Sequence, residues 1–292
     1  MSTLIASVLI TDLDNTLYDW LSLWYHPFSA MLSMLVNQSG VPEDVLTREI
    51  KTVFEQRGTT EYTFLIQSLP SLQALHPGQD LVTVYRDAID TFCEERSRRM
   101  ALYPTVEETL QTLRERGCLL VGHTGSPAYA ANYRTRKLGL DGLLDILYSA
   151  PDHPFPRGVC RRQVRRYDDA HYRLNHTQQR VLQPEERKPR PKGLQRILAD
   201  IGARPEDCLY IGDNLFLDIQ TAKDVGVASA WAKYGTICRR VEYDLLRAVT
   251  HWSNDDVERE RSLREMDVKP TLVCEKSFSE LLDSCTFESF RG

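Results

Sequence analysis

The chain has 292 residues, enough to bury a sizeable core either as one large domain carrying an insertion or as two unequal domains. Hydrophobic residues at 42% and charged residues at 26% match an ordinary globular protein and exclude a chain too polar to fold. A net charge of -5 at pH 7 offers no general attraction to nucleic acid or acidic membranes, so neither is an expected partner.

The stretch from Ser2 to Ile10 is apolar but short, lacks a basic leader and runs directly into Asp12 and Asp14. It reads as a buried strand rather than a signal peptide, with Val8 to Thr11 its clearest apolar run. No run approaches the roughly 18 apolar residues of a membrane span, so the expected location is cytoplasmic. The seven cysteines are odd in number and contain no CxxC pair, which reads as free thiols.

After that strand, residues 19–99 carry helical patterns (Leu21 to Val36, Val45 to Phe54, Leu81 to Phe92) and no convincing strand, a helical insertion. Short apolar runs then alternate with helical periodicity. Strands are expected at Leu119 to Val121, Ile146 to Tyr148, Leu209 to Ile211, Val227 to Trp231 and Leu272 to Cys274. Helices ending at Gly117 and Gly202 lie between them. Such alternation predicts an α/β fold with a Rossmann-like, doubly wound parallel sheet. Residues 1–18 and 100–292 would form this core. Two stretches, 151–187 and 241–266, read as its elaborations, the first arginine-rich and the second charged and helical.

The first strand ends in two carboxylates one residue apart, Asp12 and Asp14. Like charges buried so closely resist ionisation unless a cation or proton sits between them, and a divalent metal resolves the conflict. The same pattern could serve as a capped acidic turn. Asp213 and Asp218 follow another strand, and Asp213 would sit beside Asp12 if the two strands are neighbours, completing a hard oxygen site of the kind magnesium prefers. Thr124 and Gly125 close a third strand, where a hydroxyl and an unhindered backbone can approach an anion, although taken alone the pattern reads rather as an ordinary Ser/Thr helix cap. In Lys188-Pro189-Arg190-Pro191-Lys192 the prolines hold basic side chains at the start of a helix, and a lysine there can neutralise phosphate and carboxylates, or the stretch is a solvated basic loop.

Taken in order, Asp12 to Thr16 (DLDNT), the strand ending in Thr124, Lys188 to Pro191 (KPRP) and Gly212 to Asp218 (GDNLFLD) resemble the four motifs of the haloacid dehalogenase superfamily. The resemblance spans roughly Val8 to Gly235 and implies a Rossmann-like core with residues 19–99 as a helical cap domain. It implies a Mg2+-dependent phosphatase in which Asp12 is the nucleophile and Asp14 the general acid and base. Asp12, the Asp14 carbonyl and Asp213 would hold Mg2+, and Asp218 would support the metal or the lysine. Thr124 would bind a phosphoryl oxygen and Lys188 would steady the charge, with Lys192 its competitor for that role. The acid/base aspartate at position 14 speaks against dehalogenation. The expected partner is a small phosphorylated metabolite, with the DNTLY form a hint toward nucleoside monophosphates. Phosphomutase or phosphonate hydrolase activity, and a non-catalytic binding role on the same fold, are the competing readings.

Arg57, with Gly58 to Tyr62, supplies polar groups at a helix break and is a candidate to contact the leaving group, as are the aromatics Tyr18, Trp20, Trp24 and Tyr25. Eight arginines between Pro151 and Arg187 could rim the site and attract an anion, or form a solvated insertion paired by local acids. His153, His171, His176 and Cys160 fit no common zinc spacing.

Overall fold

The computed structural model describes residues 4–155, 167–238, 240–252 and 268–291. Its centre is a seven-stranded, wholly parallel sheet of order β5-β4-β3-β2-β6-β7-β8. The strands are β2 Val8–Thr11, β3 Leu119–Pro127, β4 Ile146–Ala150, β5 Gln178–Val181, β6 Cys208–Gly212, β7 Ala228–Ala232 and β8 Leu272–Cys274. A separate parallel pair joins β1 Leu4–Ala6 to β9 Cys285–Phe287.

Alternation along the strands assigns the two faces. Leu9, Leu120, Leu209 and Ile211 enter one hydrophobic cluster with Val106, Leu110 and Leu113 of a flanking helix. Val8, Ile10, Val121 and Tyr210 enter another with Leu194, Ile197 and Leu198. Because crossover helices cover both faces, every residue of β2 is buried, and the strand reads as an unbroken apolar run.

The helices before β3 are α1 Trp20–Ser39, α2 Glu43–Arg57, α3 Pro70–Leu75, α4 Leu81–Val84, α5 Arg86–Arg98 and α6 Val106–Glu115. The pattern expected as one helix from Leu81 to Phe92 is broken at Tyr85 between α4 and α5. The segment from α1 to α5 has its own apolar cluster, including Leu21, Trp24, Phe28, Leu46, Ile50 and Phe54.

Two stretches differ from expectation. Part of 151–187 is β5, which pairs with β4 and completes the sheet edge. The helix Glu242–Val249 buries Tyr243, Leu246 and Val249 in the cluster of the helical segment, not against the sheet. Residues 253–266 of that stretch lie outside the described residues.

Candidate active site

β2 lies between β3 and β6, with Thr11 opposite both Gly122 and Ile211. The carboxyl ends of these strands therefore present Asp12, Thr124 and Asp213 together, where open parallel sheets form ligand sites. The Asp12 amide donates to the Ile211 carbonyl at 2.8 Å. Asn15 then takes a left-handed turn (φ 58°), a conformation Asn tolerates better than most residues, and its Oδ1 accepts from the Leu21 amide at 3.1 Å. That bond ties the Asp12 loop to the first turn of α1. Tyr234 holds the same loop from the other side by donating to the Thr16 carbonyl at 2.7 Å.

Lys188 places its ammonium between two carboxylates, 2.5 Å from Asp12 Oδ1 and 2.7 Å from Asp218 Oδ1. Its rival Lys192 is exposed on the following helix, Pro191–Ile201. Asp218 reaches the lysine from a π-helical turn, Leu215–Gln220, of the wide kind often found at functional sites. The Asn214 amide donates to Asp218 Oδ2 at 3.1 Å, and the Tyr210 hydroxyl donates to Oδ1 at 3.3 Å.

Oxygens of Asp12, Asp213 and Asp218 lie within 4.8 Å of one another, the metal-capable group found among the described residues. Burial pushes the Asp12 carboxyl up to about 7; Lys188 opposes this, while Asp218 and Asp14 reinforce it. Desolvation, then the charges of Asp218 and Asp12, raise Asp213 well above the usual carboxylate range. Burial disfavours charge on Lys188 as well, but Asp12 and Asp218 outweigh it and hold the ammonium well above its ordinary value. One ammonium cannot neutralise three clustered carboxylates, and hard oxygen donors in this arrangement suit a small divalent cation.

Asp14 faces a second cluster. Its Oδ1 accepts from Arg134 Nη1 at 2.8 Å and from the Tyr18 hydroxyl at 2.5 Å. Its Oδ2 lies 2.8 Å from Ser126 Oγ and 3.4 Å from Thr124 Oγ1. Ser126 Oγ is also 2.9 Å from Glu61 Oε2, so its single proton is shared between two carboxylates. Arg134, on α7 (Ala128–Lys137), pairs with Glu61 as well as Asp14 and thereby balances both. Burial opposes its charge, but Glu61, Tyr18 and Asp14 hold the guanidinium above its usual value.

The other candidates fall as follows. Thr124 is buried, and its Oγ1 accepts from the Ser126 amide at 3.1 Å. Gly125 is exposed, with nothing within 4 Å of where a Cβ would stand, so the space beside its backbone is open. Arg57 is exposed at the end of α2, with its guanidinium over the Tyr62 ring at 4.8 Å. His153 packs edge-on to Tyr62, His171 stacks on Tyr167 and His176 lies against Gly142, so these three do not converge. Arg157, Arg161, Arg162, Arg165, Arg166 and Cys160 lie outside the described residues. Arg180, on β5, pairs with Asp200 3.1 Å away, and both side chains are partly exposed.

A haloacid dehalogenase-like hydrolase family model matches residues 6–226. The chain belongs to that family. A second, HAD-hydrolase-like model matches residues 186–276. The chain shares its fold with a 2-haloacid dehalogenase from Pseudomonas syringae pv. Tomato DC3000, at 18% identity over 85% of this chain and 100% of that one (TM-score 0.50). It also resembles a haloacid dehalogenase-like family hydrolase from Xanthomonas campestris, at 12% identity over 90% and 92% of the two chains (TM-score 0.51). A glyceraldehyde 3-phosphate phosphatase of Pyrococcus furiosus is 41% identical over 49 residues, 17% of this chain and 20% of that protein. The matched stretch thus spans about a fifth of that relative.

In this hydrolase the motif reading did not single out Arg134, Ser126 or, individually, Glu61. Arg134 sits in a run with Arg136 and Lys137 that resembles any cationic helix end, and no local signal marks it as the buried one. Gly212, by contrast, has a visible reason: a Cβ there would stand 2.3 Å from the Asp218 carboxyl. Gly212→Ala is therefore expected to displace Asp218 from Lys188 and destabilise the protein by about 1–3 kcal/mol, as overpacking does. Urea unfolding measures it, and an unchanged midpoint would refute this account of the glycine.

Proposed function

We propose that this family member hydrolyses phosphate monoesters through a covalent aspartyl phosphate on Asp12. The observation that carries the reading is the Lys188 ammonium bridging Asp12 and Asp218 beside Asp213, with a second carboxylate, Asp14, two residues from the nucleophile. Phosphoryl transfer asks for an in-line nucleophile and dense positive charge, and little covalent chemistry besides. The phosphatase name of the Pyrococcus furiosus relative supports the same class.

In the first step an Asp12 carboxylate oxygen attacks phosphorus, the ester P–O bond breaks, and its electron pair goes to the alcohol oxygen, which takes a proton from Asp14. In the second, Asp14 removes a proton from water, the water oxygen attacks phosphorus, and the acyl phosphate bond breaks to return Asp12 and release phosphate. Asp14 must turn from Arg134 toward the leaving oxygen to do this. Thr124 and Lys188 would bind phosphoryl oxygens, and the open backbone at Gly125 would admit them. Asp12, Asp213 and the Asp14 carbonyl would hold Mg2+, steadied by Asp218, and the bound ion would supply charge neutralisation to the phosphoryl group. The helical segment 19–99 would serve as the cap that excludes water.

Phosphate release from a panel of monoesters, a nucleoside monophosphate and glyceraldehyde 3-phosphate among them, tests the proposal with Mg2+ and with a chelator. Release that needs Mg2+ is expected; no release from any ester under either condition would overturn it. Metal affinity should also depend on pH. A cation binds the deprotonated carboxylate, so with the Asp12 carboxyl near 7 the affinity falls as pH drops below that value, by about tenfold per unit for each proton displaced. Calorimetric titration with Mg2+ at pH 5.5 and 7.5 checks this, and equal affinities would contradict it.

A further inference from the structure

One buried titratable group, His123, takes no part in the steps above. It stands on β3 beside Thr124 and is 1% exposed. Its Nδ1 lies 3.2 Å from the Tyr210 hydroxyl, and its Nε2 is buried with no hydrogen-bond partner among the described residues. Tyr210, on β6, is fully buried, and the same hydroxyl lies 3.3 Å from Asp218 Oδ1. Since β3 and β6 flank β2, the two rings meet across the strand that leads to Asp12, edge to face with centroids 5.9 Å apart. A polar chain thus runs beneath the nucleophile, where strands buried on both faces ordinarily carry apolar side chains.

The direction of that chain follows from which atoms can donate. Asp218 Oδ1 already accepts from the Lys188 ammonium at 2.7 Å, so it is a carboxylate oxygen and accepts from Tyr210 as well. Burial, against the charge of Lys188, raises the Tyr210 phenol well above its ordinary value and keeps its proton in place. A phenol has one proton to give. Once that proton points at Asp218, the Tyr210 oxygen can only accept, and His123 Nδ1 must carry the hydrogen. The opposite tautomer would set a bare Nδ1 against an oxygen with no proton left and would bury an unpaired Nε2–H, two unmet groups where the first tautomer leaves a single bare acceptor. Burial, and then the Lys188 charge, push the imidazole well below its usual value, so the ring stays neutral.

Resting on the phosphatase reading for its kinetic consequence, we infer that His123 and Tyr210 are positioning residues. Neutral His123 donates from Nδ1 to the Tyr210 oxygen, Tyr210 donates to Asp218 Oδ1, and Asp218 so held keeps the Lys188 ammonium on Asp12. The Asn214 amide fixes the other Asp218 oxygen, so the carboxylate is restrained from both sides. Without Tyr210, Oδ1 would answer to the lysine alone, and a flexible four-carbon stem orients its charge poorly. Partners that orient a ligating or charge-bearing side chain without touching substrate commonly matter ten- to a hundredfold, or about that, in activity.

Two readouts test the relay. Nitrogen-15 spectra of the imidazoles tell a protonated ring nitrogen from a bare one, and the signals of His123, one of seven histidines, are those lost in His123→Asn. The wild type should show the neutral Nδ1–H form, and Tyr210→Phe, which removes its acceptor, should shift the ring toward Nε2–H. Nε2–H in the wild type, or an unchanged tautomer in Tyr210→Phe, would overturn the inference. In turnover, Tyr210→Phe and His123→Leu should each lower kcat about tenfold or more, and the double variant should lose little beyond either, since both break one chain. His123→Asn can place an amide N–H where Nδ1 stands and should lose at least about fivefold less than His123→Leu. Packing alone would give the reverse order, because leucine fills the apolar site and a shorter amide does not. Leucine as active as asparagine therefore refutes the relay. If the wild type turns over no ester, the phosphatase reading fails and the tautomer, read without turnover, decides the relay by itself.

Discussion

Asp12→Asn is expected to lower phosphate release by about 10⁴-fold or more while leaving the unfolding midpoint close to that of the wild type. The amide has the carboxylate's shape and can still accept from Lys188, whose Nζ lies 2.5 Å from Oδ1, so the site keeps its packing. It cannot form an acyl phosphate, and the covalent route closes; a 10⁴-fold loss corresponds to about 5.5 kcal/mol of barrier. Asp14→Asn gives a different signature. With an aryl ester, whose leaving group needs little help from an acid, the first step continues and the second, which needs a base, stalls. Acid-quenched samples of Asp14→Asn should then hold labelled protein, and those of Asp12→Asn none. Turnover by Asp12→Asn within tenfold of the wild type would remove Asp12 from the nucleophile's role.

Arg134→Met is the substitution expected to cost most stability. Its side chain is 6% exposed and stands between Asp14 and Glu61; without it these two carboxylates face each other across Ser126 with no cation. Breaking a buried pair by removing one partner costs about 3–5 kcal/mol, because the remaining charge is left uncompensated. Urea unfolding of Arg134→Met, Glu61→Gln and the double variant measures the coupling. The double variant should be more stable than the sum of the single losses predicts, since the second change removes one of the stranded charges. Additive losses would show that Arg134 acts by packing alone.

The sheet was legible because its signals are local. Strands buried on both faces must be nearly continuous apolar runs, and Val8 to Thr11 and Leu209 to Ile211 are such runs. The same logic placed Asp12 and Asp213 at strand ends, where apolar burial stops and polar chemistry starts. Gln178–Val181 was not expected as a strand because it lacks that signal. It is polar and partly exposed, and only its ladder with β4 makes it a strand. The apolar stretch from Ser2 to Ile10, expected as one buried strand, divides instead into Leu4–Ala6, which pairs with Cys285–Phe287 from the opposite end of the chain, and β2 of the main sheet.

The sequence by itself determined the alternating α/β order, the carboxylates at the strand ends and the residues that resemble the four family motifs, because period, punctuation and spacing lie within a few residues of each feature. Tertiary structure alone decided which lysine enters the site. Lys188 precedes the helix and points between Asp12 and Asp218, whereas Lys192 falls on its solvent side. Tertiary structure also brought Glu61 and Arg134, 73 residues apart, onto Asp14. Each of those residues is an ordinary charge in its own segment. Their roles come from desolvation and long-range contact, which exist only once the helical segment has packed onto the sheet.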